Sequence, residues 1–492
     1  MDSVAARSGT RLATRMFRDI SGYMAGQFGL LLFGFLTFPL FTRLMSRADY
    51  GTLSLINTSL SVLLLTLGLG LPNAVVRFFP EYSKGSEERR LRFNTTQLVG
   101  SILFSSTGCA LLVASSFLIH PGTQNASFIF GFRCVAFVLV SRAALNILLE
   151  ILRVERRVAW YSALALAQRV ANVGGAVAGF LFFRSLNGLL GGILCGETLL
   201  TLIAAALAYR YGYISAAAPD RDQLWESIRF AAPLMLASLA ASVMAYADRY
   251  LIQVYLGPEA VATYAVAYDL CGYIQVLFLT AFRLAVLPEL VSRYAEFGVD
   301  AASEFLSRAF RYVGWLVIGV GFGFAAVGGQ VITILASNRY SDAGALLPYL
   351  IPGVALGGLD SIFATGLYLQ KRNDLWFYIV GFSAVLNIGL NVLLIPPYGI
   401  KGAAYATLLG YFAQEIAVYS ASTRFVKLRL NTWSLLRAVC CAGVIFLAIR
   451  RIEPPPGGIT RLAVTASFGA IVYIVLHFVF EKDSRQLLWA YR

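Results

Sequence analysis

Long apolar runs alternate with short polar loops along nearly the whole chain. Each run is close to or beyond the ~20 residues that carry a helix across a ~30 Å hydrocarbon layer. Breaking the sequence at proline, glycine and charge clusters predicts about fourteen spans. They cover residues 21–44, 50–79, 91–119, 126–152, 160–183, 189–209, 230–256, 261–290, 310–336, 343–369, 375–395, 403–425, 435–449 and 462–480. The expected fold class is therefore an all-α polytopic membrane protein. A transmembrane barrel is excluded, because its strands alternate apolar and polar residues over only ~10 positions.

Composition supports this. Charged residues make up 13% of the chain, about half the ~25% of a soluble domain. The net charge of +14 does not point to nucleic acid, since Lys and Arg collect in alternate loops at about three to one, the positive-inside pattern. That bias places both termini in the cytoplasm and the protein in the inner (plasma) membrane. Arg7, Arg11, Arg15 and Arg18 form one stripe if 1–20 is helical, which predicts a basic amphipathic segment on the anionic cytoplasmic leaflet. No cleavable signal pattern precedes the first span. Cys109, Cys134, Cys195, Cys271, Cys440 and Cys441 all fall within apolar runs and are expected reduced and buried. No metal-ligand spacing occurs, and no cofactor is implied.

Two groups of six spans look like repeats. Arg18 and Arg229, Ala74-Val75 and Ala285-Val286, and Gly188-x-x-Gly191 and Gly399-x-x-Gly402 share one offset of 211 residues, as do Met24 and Met235 and Leu40 and Leu251. An even number of spans gives the halves like orientation, hence a parallel repeat about an axis along the membrane normal. The expected organisation is a basic segment 1–20, an N-lobe 21–212, a cytoplasmic linker 213–228, a C-lobe 229–430, and residues 431–492 holding two further helices and a tail. Transporters built this way hold substrate between the halves.

Ionisable groups inside spans normally face protein or water, because at the bilayer centre each costs roughly 2.5–3.5 kcal/mol on insertion scales. Asp248, Arg249, Asp269 and Arg283 sit in the hairpin 230–290, joined by Gly257-Pro258-Glu259. Neighbours Asp248 and Arg249 point about 100° apart and cannot pair across one helix face. Arg77, Arg142, Glu150, Arg169, Glu197, Asp360 and Glu415 lie in other spans, and Tyr264, Tyr268 and Tyr273 border the hairpin's polar face. Together they predict a cationic central cavity. Arginine forks suit a diphosphate, tyrosines suit sugar, and carboxylates suit a coupling H+ or Na+. The plainer reading is structural pairing, preferred for Arg77, Arg142 and Glu150 near span ends.

Catalytic motifs are missing: there is no Walker-type phosphate loop, no G-x-S-x-G and no H-E-x-x-H. The chain resembles the polysaccharide transporter family of lipid-linked oligosaccharide flippases, within the superfamily that also holds lipid II flippases and multidrug and toxin extrusion transporters. The resemblance lies in Ala247-Asp248-Arg249-Tyr250-Leu251-Ile252 with Leu256-Gly257, in Asn387-Ile388-Gly389-Leu390-Asn391 with Ile395-Pro396-Pro397-Tyr398-Gly399-Ile400-Lys401-Gly402-Ala403-Ala404-Tyr405-Ala406-Thr407, and in Ala48-Asp49-Tyr50-Gly51. It implies alternating access by two lobes that carries a polyprenyl-diphosphate-linked oligosaccharide from the cytoplasmic to the outer leaflet. Membrane lipid, a driving ion gradient and a glycan polymerase or assembly complex are the implied partners. The alternatives are a cation-coupled multidrug antiporter, against which fourteen spans and intramembrane arginines argue, a membrane glycan polymerase, and a non-transporting scaffold. Reporters fused at positions 85, 155 and 371 should be active only as cytoplasmic reporters, and those at 185 and 339 only as exported ones; the opposite pattern overturns the orientation.

Overall fold

A computed structural model of the chain describes residues 33–117, 126–451 and 458–480. Its regular elements are all helical: α1 Phe33–Leu44, α2 Arg47–Leu67, α3 Leu71–Tyr82, α4 Glu87–Ser116, α5 Ala126–Val154, α6 Val158–Phe183, α7 Leu186–Arg210, α8 Arg221–Leu256 and α9 Pro258–Leu335. A 3-10 turn at Asn338–Leu346 precedes α10 Leu347–Phe363, α11 Thr365–Leu369, α12 Asn373–Tyr398, α13 Ile400–Ser422, α14 Thr432–Arg451 and α15 Gly458–Phe480. Eleven helical segments among the described residues are long and apolar enough to span a bilayer, and α1 is a shorter apolar helix. This count does not reach the expected fourteen. The first expected span lies partly outside the described residues, and α13 is long but carries Lys401, Gln414 and Glu415. The basic segment 1–20 lies outside the described residues.

Helix breaks fall where backbone chemistry demands them. Leu69 (φ 48°) and Gly70 (φ 66°) are left-handed and Pro72 follows, so the expected span 50–79 becomes two helices, α2 and α3. Gly298 (φ 81°) interrupts α9, which therefore holds two expected spans in one helical run. The expected span 343–369 instead breaks at Ala364 between α10 and α11.

The chain divides into two compact units, and the divisions fall inside α1, α2 and α8. Unit 1 comprises residues 33–37 and Thr52–Leu239. Its tightest packing is α6 on α7. A Cβ on Gly175 would lie 2.3 Å from the Gly192 carbonyl oxygen, and one on Gly179 would lie 2.0 Å from that of Gly188. Small residues one turn apart let the two backbones touch, which is how helices associate where lipid offers no hydrophobic drive. Beside this seam Arg142 of α5 reaches across to Glu197 of α7. Arg142 Nε donates to Glu197 Oε2 at 3.0 Å, a second guanidinium N–H meets Oε1, and Asn172 Nδ2 of α6 donates to the same Oε1 at 2.6 Å. Glu197 is fully buried, so three helices are pinned by one carboxylate. Glu150 pairs with Arg153 instead, at 3.2 Å. The segment before α8 is tied to α4: Asn94 Nδ2 donates to the Tyr213 carbonyl at 2.9 Å, and the Asp220 amide donates to Thr96 at 2.9 Å.

Unit 2 comprises Phe38–Gly51 and the chain from Ala240 onward. Its core gathers Leu290, Leu306 and Phe310 of α9 with Ile362 of α10 and Val418 of α13. Helices α14 and α15 dock on α9 through buried Trp315, whose Nε1 donates to Ser434 Oγ at 2.8 Å and whose carbonyl accepts from Tyr473 Oη at 2.7 Å. The His477 ring lies 4.7 Å from that of Trp315. The start of α2 is held by Arg47, which bonds Asp342 at 2.7 Å and also Thr263. Gly51 is obligatory there, because a Cβ would fall 1.9 Å from the Pro258 carbonyl oxygen.

All six cysteines are free. The expectation of uniform burial is corrected: Cys109, Cys134 and Cys271 are buried, but Cys195 and Cys440 are exposed. On an apolar helix an outward thiol is tolerated because it behaves as a small hydrophobe.

Removing one partner of a buried ion pair strands the other charge, at a cost of about 3–5 kcal/mol. Arg142→Ala should therefore lower the thermal midpoint strongly, and Arg142→Leu/Glu197→Leu should lower it less. Equal midpoints for wild type and Arg142→Ala, read by size-exclusion after heating, would contradict the pinning role.

Candidate functional site

The polar residues of the α8–α9 hairpin converge inside unit 2. Gly257 (φ 82°) and Pro258 fold α9 back along α8. Arg249 lies eight residues before Gly257, and Tyr264, Tyr268 and Asp269 lie seven, eleven and twelve after it. Helices α12 and α13 form a second tight hairpin about Gly399 (φ 60°), where a Cβ on Gly402 would lie 2.0 Å from the Leu394 carbonyl oxygen. Asn387 Nδ2 of α12 donates to the Ala406 carbonyl of α13 at 3.1 Å, which fixes the register that brings Thr407 to the cluster.

Asp248 is the centre of one half. The Tyr264 hydroxyl donates to its Oδ2, Thr407 Oγ1 donates to the same oxygen at 3.3 Å, and the Arg249 amide donates to Oδ1 at 2.7 Å. Tyr264 and Thr407 hydroxyls are themselves 2.9 Å apart. Asp248 is 1% exposed and meets neutral donors. Such a carboxylate is suited to take up a proton or a small cation, because neither needs a further counter-charge removed. On α12, one turn past Asn387, Asn391 donates through Nδ2 to Asn387 and leaves its buried Oδ1 without a donor among the described residues.

Arg249 organises the other half. As the i, i+1 spacing requires, it does not face its neighbour but crosses to α9, where Nη2 donates to Asp269 Oδ1 at 2.6 Å. Tyrosine rings flank the guanidinium, Tyr246 at 5.5 Å and Tyr268 at 5.4 Å from centroid to Cζ. Tyr268 Oη lies 3.4 Å from Tyr411 Oη. Arg249 is 5% exposed, and Asp269 is the open member of the pair. The described cluster therefore holds two carboxylates to one guanidinium, and its arginine is already engaged.

No hydrogen bond or ion pair joins the other expected site residues to this cluster among the described residues. Arg77, on α3 of unit 1, is half exposed and pairs with Glu81 at 2.5 Å. Arg169 is exposed on α6. Arg283 lies on α9, and its side chain is outside the described residues. Glu415 falls on α13 two turns past Thr407, with Tyr411 between them on one face. It is 3% exposed, accepts from Gln414 at 3.3 Å, and its buried Oε2 has no donor among the described residues. Thr407 and Tyr411 are the members that sequence reasoning did not single out as site residues. They lie one turn apart on one face of α13, and placing them here requires knowing which helix faces the hairpin.

Known proteins supply the remaining constraint. A family described as "Polysaccharide biosynthesis protein" matches residues 16–293, more than half of the chain. A Haloferax volcanii protein described as a probable low-salt glycan biosynthesis flippase is 23% identical over 475 residues, 94% of this chain and 95% of that protein. A Shigella dysenteriae protein whose description is that of an O-antigen transporter is 23% identical over 387 residues, covering 77% and 92% of the two chains. Among solved structures, a lipid II flippase in an inward closed conformation matches with a TM-score of 0.77 at 13% identity, over 94% of this chain and 99% of that one. An inward-facing multidrug transporter matches with a TM-score of 0.64 at 15% identity, over 86% and 95%. At these identities the structural likeness shows the fold.

Because the Tyr264 hydroxyl donates to buried Asp248, Asp248→Asn and Tyr264→Phe should be non-additive. A double-mutant cycle read by thermal unfolding should give a coupling of about 0.5–3 kcal/mol. Additive losses would show that the two groups do not meet.

Proposed function

Because the chain belongs to the polysaccharide biosynthesis protein family, we propose that it is a flippase for a lipid-linked oligosaccharide used in polysaccharide synthesis. The substrate is a polyprenyl-diphosphate-linked glycan, taken from the cytoplasmic leaflet of the plasma membrane and released into the outer one. The observation that carries this reading is the end-to-end alignment with a relative described as a glycan biosynthesis flippase. The two halves, N-lobe 21–212 and C-lobe 229–430, alternate access around a central chamber, with both termini cytoplasmic.

The physical need for such a protein is plain. An isolated charge in a low-dielectric medium costs tens of kcal/mol by ideal solvation estimates, so a diphosphate needs fixed partners to cross. Arg249 is held by Asp269 in this conformation. Transfer of that guanidinium from Asp269 to the diphosphate is the switch this reading requires. Asp248, bonded by Tyr264 and Thr407, is the coupling position for H+ or Na+. Neutralising it biases whichever state binds the ion better, since only differential affinity shifts a conformational equilibrium. A glycan polymerase or assembly complex is the expected consumer of the product.

One observation favours a second reading. The surplus of carboxylate over arginine among the described residues of the cluster suits an organic cation, as in a cation-coupled antiporter. Proteoliposomes of phosphatidylcholine separate the two. Fluorescent undecaprenyl-diphosphate-linked disaccharide should change leaflets with wild type in an imposed H+ or Na+ gradient. Arg249→Ala should abolish movement, and Asp248→Asn should remove the gradient dependence. Gradient-driven ethidium movement with no glycan-lipid movement would instead establish the antiporter.

A further inference from the structure

A groove in unit 1 has no part in the polar cluster. It holds about 210 Å3 between α6 and α7, with α5 as its floor. Its walls are apolar: Ala163, Leu164 and Ala167 on α6, and Ile203, Ala204 and Leu207 on α7. At one end Trp160 and Tyr211 meet with ring centroids 5.7 Å apart. Beyond them each wall finishes in an arginine. Arg157 caps the N-terminus of α6 three residues before Trp160, with a non-helical backbone (φ −88°, ψ 62°), and Arg210 closes α7 on the stripe of Ile203 and Leu207.

The acids near this end are already engaged. Glu150 pairs with Arg153 at 3.2 Å, and Glu155 pairs with Arg90. Arg157 and Arg210 are exposed, and neither forms an ion pair among the described residues. The end therefore presents two uncompensated guanidiniums above a hydrocarbon-lined slot, with an aromatic pair at the level where such rings sit in a bilayer.

We infer that this is a site for one anionic glycerophospholipid of the leaflet at the 155–157 end. One acyl chain lies in the groove under Trp160 and Tyr211, and the phosphate rests between Arg157 and Arg210. A groove walled by apolar side chains is poorly filled by water, and a planar fork at its mouth selects phosphate oxygens. A second protein helix would fill the slot, but it would leave the two cations without partners.

Trp160 reports on the groove directly. Full-length protein is placed in phosphatidylcholine vesicles containing either bromine-labelled phosphatidylglycerol or bromine-labelled phosphatidylcholine at equal mole fraction. The Trp160 signal is the difference between wild type and Trp160→Phe. The anionic lipid should occupy the site about tenfold more tightly, given the attraction expected of two surface arginines. Arg157→Ala/Arg210→Ala should erase that preference while the protein still elutes as a folded species. Ala163→Phe, which fills the slot from an exposed position, should reduce quenching by both lipids. Equal quenching by the two lipids in wild type overturns the proposal. So does displacement of the anionic lipid by undecaprenyl phosphate at lower concentration, which would assign the groove to a prenyl chain.

Discussion

Hydrocarbon offers no water, so each polar group inside it must find its partner within the protein. Most features of both units follow from this constraint. Arg142, Glu197 and Asn172 close on one another across α5, α6 and α7. Asp248 collects donors from three directions, and Arg249 crosses a hairpin to reach Asp269. Where no polar partner exists, the helices meet through glycine, and the backbones of α6 and α7 touch. Polar pinning and small-residue seams are thus alternative answers to one absence of solvent.

The constraint also separates structure from function within the membrane. The Arg142–Glu197 pair is satisfied on every side, and its carboxylate is fully buried, so it locks three helices. In the hairpin cluster satisfaction is incomplete. Asp269 stays partly open beside a buried arginine. Unmet capacity at depth is costly unless a ligand, an ion or a second conformation meets it.

Much of this was legible along the chain. Charge within an apolar run is rare enough that Asp248, Arg249 and Asp269 stood out, and the 100° step between neighbours already forbade the pairing of the first two. The loops and glycine turns were equally visible: Gly257-Pro258 and Gly399 reverse the chain where expected. The run Gly68-Leu69-Gly70-Leu71-Pro72 marked a place where a helix can bend or simply pack closely, and the left-handed Leu69 and Gly70 show that the helix breaks there. Arg77 looked much like Arg249 in sequence, yet the first pairs with Glu81 one turn away and is half exposed, while the second is enclosed. Arg142 and Glu197 stood in spans four and six with nothing to join them, because periodicity does not say which helices are neighbours.

The sequence by itself determined that the chain is a multi-helix membrane protein, where its apolar runs lie and which charges are too deep to be accidental. These follow from length, periodicity and the cost of burying charge, all of which are local. Only the tertiary structure decided what each deep charge meets, because Thr407 reaches Asp248 from 159 residues away and Glu197 reaches Arg142 from a helix two spans on. Partner choice is a property of packing, and packing is set by which backbones can approach, not by the order of residues along any one helix.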